Sequence, residues 1–193
     1  MVDENLTWKN HINNLCKSCS RSIGVLNKVK LFLPKSTLYQ LYCSMILCNL
    51  LYGILLWGNS CKEYLNKVLR IQKRALRIIS NSPYLSASKP LFEKYNVLDV
   101  FNLYKKEVAI FMYKYKNKLL PKSLEGMFTS RYDIHRYNTR FNKDYQINIH
   151  KIKGLLHTGP HVWNSLPVDI KQSNSLGSFR NKVSSHLLNN LTL

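Results

Sequence analysis

The chain has 193 residues, with 29 Lys+Arg against 10 Asp+Glu and a formal net charge of +19. Apolar residues make up 45% and aromatics 11%, enough for a buried core, which excludes wholesale disorder. Seven Gly and six Pro exclude collagen-like and linker-like composition, no solenoid-length repeat recurs, and the length suits one domain with at most a small appendage. So large an excess of cations favours a polyanionic partner, nucleic acid or anionic lipid.

Met1-Val2-Asp3-Glu4-Asn5 places acids where a secretory signal needs cations, so no signal peptide is expected. Thr7 is placed to cap a first helix reaching about Leu31, with Ile12, Leu15, Cys19, Ile23 and Leu26 at helical spacing. Pro34 suits the start of the next helix. From Ser36 to Cys61 there is no charged residue. Its aliphatics would favour membrane insertion by about −3 to −5 kcal/mol. Gln40, Ser44, Asn49 and Asn59 oppose insertion, and both flanks are basic, so the reading is a core helix that breaks near Asn49 or Gly53. A third helix is expected from about Lys62 to Ile79, closed by Asn81-Ser82-Pro83, then a short turn near Pro90–Tyr95. Asp99 caps a helix through about Asn117, and Pro121 stops it.

After about Phe128 the helical period is lost. Tyr145, Ile147 and Ile149 alternate like a strand, and Ser173 or Ser175 begins a last helix with Leu176, Phe179, Val183 and Leu187 on one face. The expectation is a mainly α fold: a helical bundle over 1–128, then a basic, aromatic-rich irregular segment over 129–193. That segment should hold at most a short strand or hairpin and end in a helix.

Five cysteines, an odd number and mostly within apolar helical patterns, point to reduced thiols and an intracellular protein, nuclear or cytoplasmic. Cys16-x-x-Cys19 is formally half a zinc site and His157-x-x-x-His161 the other half. Their separation exceeds zinc-finger spacing, and Gly159-Pro160 is expected to break any helix aligning the histidines. No metal or other cofactor is implied. The aspartates are scattered singly, without a pair for two-metal phosphoryl transfer, and there is no Gly-rich phosphate loop, His-Glu-x-x-His or Gly-x-Ser-x-Gly. The residues argue for binding rather than catalysis.

The cations are patterned. Lys67, Arg70, Arg74 and Arg77 fall within one sector of about 80° on a helix, opposite Leu65, Leu69, Leu76 and Ile79. Lys17, Arg21 and Lys28 repeat the arrangement on the first helix, opposite Leu15, Cys19 and Leu26. Cationic rails of this kind suit a polyphosphate backbone, where each neutralised phosphate releases counterions; the plain alternative is a solvated face. Between Arg131 and Phe141, arginines Arg131, Arg136 and Arg140 alternate with aromatics. That pattern suits phosphate forks with base stacking, or equally a loop packed on the bundle.

A set of short motifs also carries a family resemblance: Asp3-Glu4-Asn5-Leu6-Thr7-Trp8-Lys9-Asn10-His11-Ile12, Leu51-Tyr52-Gly53-Ile54-Leu55-Leu56-Trp57-Gly58 and Gln72-Lys73-Arg74-Ala75-Leu76-Arg77-Ile78-Ile79. Pro90-Leu91-Phe92, His135-Arg136-Tyr137-Asn138-Thr139-Arg140 and Gly159-Pro160-His161-Val162-Trp163-Asn164-Ser165-Leu166-Pro167 follow in order. Together they resemble the C-terminal portion of the reverse transcriptase of non-LTR (LINE-type, jockey-like) retrotransposons. The resemblance implies a thumb-like bundle lying beyond the primer grip, with the fingers, the palm and its catalytic aspartates outside this sequence. It carries over no catalytic residue. It implies RNA or RNA–DNA duplex as partner, together with the fingers and palm of a parent polymerase, and no small-molecule substrate. Trp163 and Leu166 are expected to anchor by packing. Alternatives are a membrane-associated basic protein anchored by residues 38–57, or a decayed retroelement product without selected function.

Overall fold

A computed structural model of the chain describes residues 7–131, 144–147 and 154–191, and these are mainly α-helical. Two compact units divide between Leu103 and Tyr104; the first also takes in Asn190 and Leu191. The division falls inside a helix, well before the composition change at Phe128.

In the first unit α1 spans Lys9–Val29. Trp8, with φ 61°, occupies the capping position that Thr7 was expected to fill. Thr7 Oγ1 instead accepts the Lys9 N–H at 3.4 Å. The charge-free stretch is a helical run that breaks at Gly53, as the sequence indicates, with a π turn inside it. It forms α2 (Lys35–Tyr42), a π-helical turn (Cys43–Leu47) and α3 (Cys48–Leu51). Gly53, at φ 63°, then turns the chain into α4 (Ile54–Trp57). Leu38, Tyr42, Ile46 and Leu50 are all buried although spaced by four, a spacing that drifts about 40° per step on an α-helix. The π turn, closed by the Cys48 N–H on Cys43 O, absorbs that drift and keeps the four on the core face. No helix among the described residues is long and apolar enough to cross a membrane.

α5 runs Lys62–Ser80 and ends on Asn81 in the left-handed conformation, φ 57°, as Asn tolerates. Ser82 N–H closes back on Arg77 O at 2.9 Å. α6 (Lys89–Lys94) follows.

α1 and α5 pack against each other and run in the same direction, as a ring contact and hydrogen bonds along them show. His11 meets the Trp57 ring at 6.0 Å just ahead of α5. Farther on, Lys67's charge reaches Cys16, partly offsetting the upward push of burial on that thiol. Beyond it, Tyr42 Oη accepts the Gln72 amide at 3.4 Å. The returning leg is α2–α3, where Met45 O accepts the Ser22 hydroxyl at 3.4 Å.

α7 (Val100–Lys116) is capped as the sequence indicates, Asp99 Oδ1 accepting the Asn102 N–H at 2.9 Å. From Tyr104 onward it belongs to the second unit, with α8 (Leu155–Ser165), α9 (Val168–Lys171) and α10 (Leu176–Asn189). Ser175 Oγ, accepting the Ser178 N–H at 3.2 Å, starts α10. Two expectations fail here. Residues 155–165, read as irregular, form a helix, and Gly159-Pro160 does not break it. A Cβ on Gly159 would lie 2.8 Å from Met112 Sδ and 3.2 Å from Phe128. A side chain here would need Met112 and Phe128 to move, and burying this turn against them offsets the hydrogen bond that Pro160 removes. The strand reduces to one antiparallel bridge between Ser130 and Tyr145; Ile149 lies outside the described residues. Trp163 and Leu166 are buried with Phe179 and Val183, so they do anchor by packing.

Candidate nucleic-acid interface

The stripe on α1 lies where its spacing puts it. Ile12, Leu15, Cys19, Ile23 and Leu26 are buried, while Lys17, Arg21 and Lys28 are exposed on the opposite side. Lys17 and Arg21 are four residues apart, about 6 Å along the axis, and no salt bridge is recorded for either among the described residues. On α5, Leu65, Val68, Gln72, Ala75, Leu76 and Ile79 are buried, and Arg70 and Arg74 are exposed and equally without an acid partner. Like charges at this spacing destabilise a helix by about 0.2–0.5 kcal/mol per pair. Glu63 alone supplies an acid within α5.

The other two members of the α5 stripe differ. Lys67 is half-exposed, 3.8 Å from Glu63 Oε1 and 5.3 Å from the Tyr64 ring centroid. An exposed pair of this kind contributes little. Arg77 is anchored: Nε and Nη2 both donate to Ser86 O, at 3.1 and 2.9 Å, and the guanidinium lies 5.9 Å from the Tyr84 ring. It holds the loop after α5, a role that the stripe pattern does not reveal. The four cations therefore share a helix face but divide in function, and Arg70 and Arg74 are its two unengaged members.

Arg131 belongs to the second unit, exposed, its backbone N–H donating to Asp144 O at 2.9 Å. Arg136 and Arg140 lie outside the described residues. Several second-unit cations serve the fold. Lys171 Nζ, buried, donates to Asp144 Oδ1 at 3.0 Å and Asn164 O at 3.2 Å. Lys116 sits 5.4 Å over Trp163. Asn164 clamps Tyr145 through both backbone groups, at 3.0 and 2.9 Å.

The two formal halves of a zinc site have different surroundings. Cys19 is buried, and burial pushes its thiol up to about 11, disfavouring the thiolate a metal needs. His157 and His161 do align on α8, rings 5.5 Å apart, contrary to the expected helix break; no group of three ligating residues occurs among the described residues. Comparison with family models, curated proteins and solved structures finds no match for this chain.

Five exposed apolar side chains escape sequence patterning because they sit in turns: Leu31, Phe32, Tyr52, Tyr84 and Leu85. An apolar turn residue looks the same in sequence whether it packs or projects.

Proposed function

We propose that this chain is the thumb-like tail of an RNA-directed DNA polymerase of the non-LTR retrotransposon kind. It binds RNA or RNA–DNA duplex through backbone phosphates and has no catalysis of its own. The observation that carries the reading is the pair of exposed cation stripes, Lys17, Arg21 and Lys28 on α1 with Arg70 and Arg74 on α5, each opposite a buried apolar face. Their i,i+4 repulsion costs helix stability and is relieved when phosphates neutralise it. The family motifs of the sequence supply the polymerase context and include Arg74 and Arg77.

Binding should be weakly sequence-specific and fall steeply with salt. Replacing Arg70 and Arg74 by Gln should flatten the slope of log affinity against log salt by about 0.9 per lost contact on B-form duplex DNA, and about 0.7 on single strands. Fluorescence anisotropy titrations over a salt series measure it. An unchanged slope removes α5 from the interface. The anchored-membrane alternative draws no support from residues 38–57, whose Leu38, Tyr42, Ile46, Leu50, Ile54 and Trp57 are buried.

A further inference from the structure

We propose that the end of the first unit at which α1 and α5 finish is a stacking platform for unpaired nucleotides beside a duplex. The inference rests on the phosphate-binding reading and deepens it by naming the ligand class, a duplex with a single-stranded extension.

Register places the two turns at the same end of the unit. The α2–α3 leg meets α1 at Ser22, whose hydroxyl donates to Met45 O at 3.4 Å, and meets α5 at Gln72, whose amide donates to Tyr42 Oη at 3.4 Å. From those levels α1 has seven residues left to Val29 and α5 has eight left to Ser80, an advance of about 10–12 Å each, so the two packed helices, running the same way, finish at a similar level. Each then makes a tight turn tipped by an aliphatic and an aromatic residue. After α1 the Phe32 and Leu33 N–H groups close on Val29 O at 3.0 and 3.1 Å, presenting Leu31 (80% exposed) and Phe32 (82%). After α5 the Ser86 N–H and hydroxyl close on Pro83 O at 3.1 and 2.7 Å, presenting Tyr84 (76%) and Leu85 (90%).

These side chains are held out from the core by their turns. Arg77 fixes the second turn through Ser86 O and lies near the Tyr84 ring. Guanidinium on a phenol ring favours a further π face on the ring's other side. Charge complementarity selects the occupant: neither 28–35 nor 77–89 contains an acid, and Lys28, Lys30, Lys35, Arg77 and Lys89 flank the tips in sequence. An anion carrying flat apolar faces satisfies both features. Unpaired nucleotides are such a ligand, their bases stacking on Phe32 and Tyr84 while Leu31 and Leu85 act as apolar wedges. The α1 stripe leads toward this end through Lys28, in the helix's last turn, so a strand held there arrives at the rings.

The test compares a blunt RNA–DNA duplex with the same duplex carrying a single-stranded extension that contains 2-aminopurine. The full chain should bind the extended form about tenfold tighter and quench the 2-aminopurine. Phe32→Ala with Tyr84→Ala should remove the quench and at least about tenfold of the extended-form affinity, while changing blunt-duplex affinity less than about twofold. Phe32→Tyr with Tyr84→Phe, which keeps both rings, should retain the preference. A matching thermal midpoint for the Ala pair keeps folding out of the comparison. Equal affinities of the wild type for the two duplexes, or equal losses on both in the Ala pair, overturn the platform and leave the stripes standing. Absence of salt-dependent binding to either duplex overturns the phosphate reading itself. Binding to phosphatidylserine vesicles that the Ala pair abolishes, without any preference for the extended duplex, assigns the tips to a lipid surface and overturns the proposal.

Discussion

The two units handle positive charge in opposite ways. In the first, the α1 stripe and the centre of the α5 stripe face solvent opposite an apolar interior, and the buried polar groups Gln72 and Tyr42 are uncharged partners of each other. In the second, a lysine is part of the interior: Lys171 is buried against Asp144, and Lys106 is driven toward its neutral form by burial, Glu107 opposing and Arg180 adding to the effect. Net charge therefore says little until each cation is placed. A surface cation with no acid beside it is available to a ligand, whereas a buried one that completes a hydrogen-bonded pair is committed to the fold.

The strongest test of this contrast is Lys171→Met. It strands the Asp144 carboxylate among buried groups, and breaking a buried pair from one side costs about 3–5 kcal/mol. Urea unfolding should register that loss while the salt slope for nucleic acid stays at the wild-type value. A flattened slope with stability intact would erase the distinction between the units. Gly159→Ala comes next. Its Cβ would meet Met112 Sδ at 2.8 Å, and overpacking of this kind costs about 1–3 kcal/mol. The same urea experiment reads it, again without effect on the slope.

Arg77→Gln probes the contrast within one helix face. Losing the two bonds to Ser86 O should cost about 1–2 kcal/mol. Replacing Arg70 and Arg74, both exposed, should change stability by less than about 0.5 kcal/mol while flattening the salt slope. If the two sets of variants behaved alike, in stability and in slope, the stripe would be one functional unit after all.

What the sequence disclosed, and what it did not, follows the range of each interaction. The ends of α5, α7 and α10 were legible because Asn81, Asp99 and Ser175 act within a few residues of themselves. The stripes were legible because helical periodicity maps spacing directly onto a face. The helix through Gly159-Pro160 was not, since what sustains it is the approach of Met112 and Phe128, remote in sequence. The π turn hid for a related reason: a spacing of four is ordinary in helices, and only the shared burial of Leu38, Tyr42, Ile46 and Leu50 shows that the backbone widened to accommodate it. Arg77 kept its periodic position and changed its role, because the carbonyl that it holds lies nine residues away. The division inside α7 leaves no mark in composition, as a single amphipathic helix serves both units.

The smallest expected effect concerns protons. His11 lies between the Trp8 ring at 5.9 Å and the Trp57 ring at 6.0 Å, with Nε2 buried and lacking a recorded hydrogen-bond partner. Burial lowers its pKa from the ordinary 6.5. The folded chain therefore holds this imidazole neutral at pH values where the unfolded chain has begun to protonate it. Above about pH 6.5 both states are neutral and His11 contributes no pH dependence. As the pH falls through that value the unfolded state takes up more protons, so stability declines until the folded-state pKa is also passed. Urea midpoints at pH 7.5 and 5.5 should show a larger acid-side loss for the wild type than for His11→Gln, which does not titrate. Equal losses would mean that the acid sensitivity resides elsewhere than in His11.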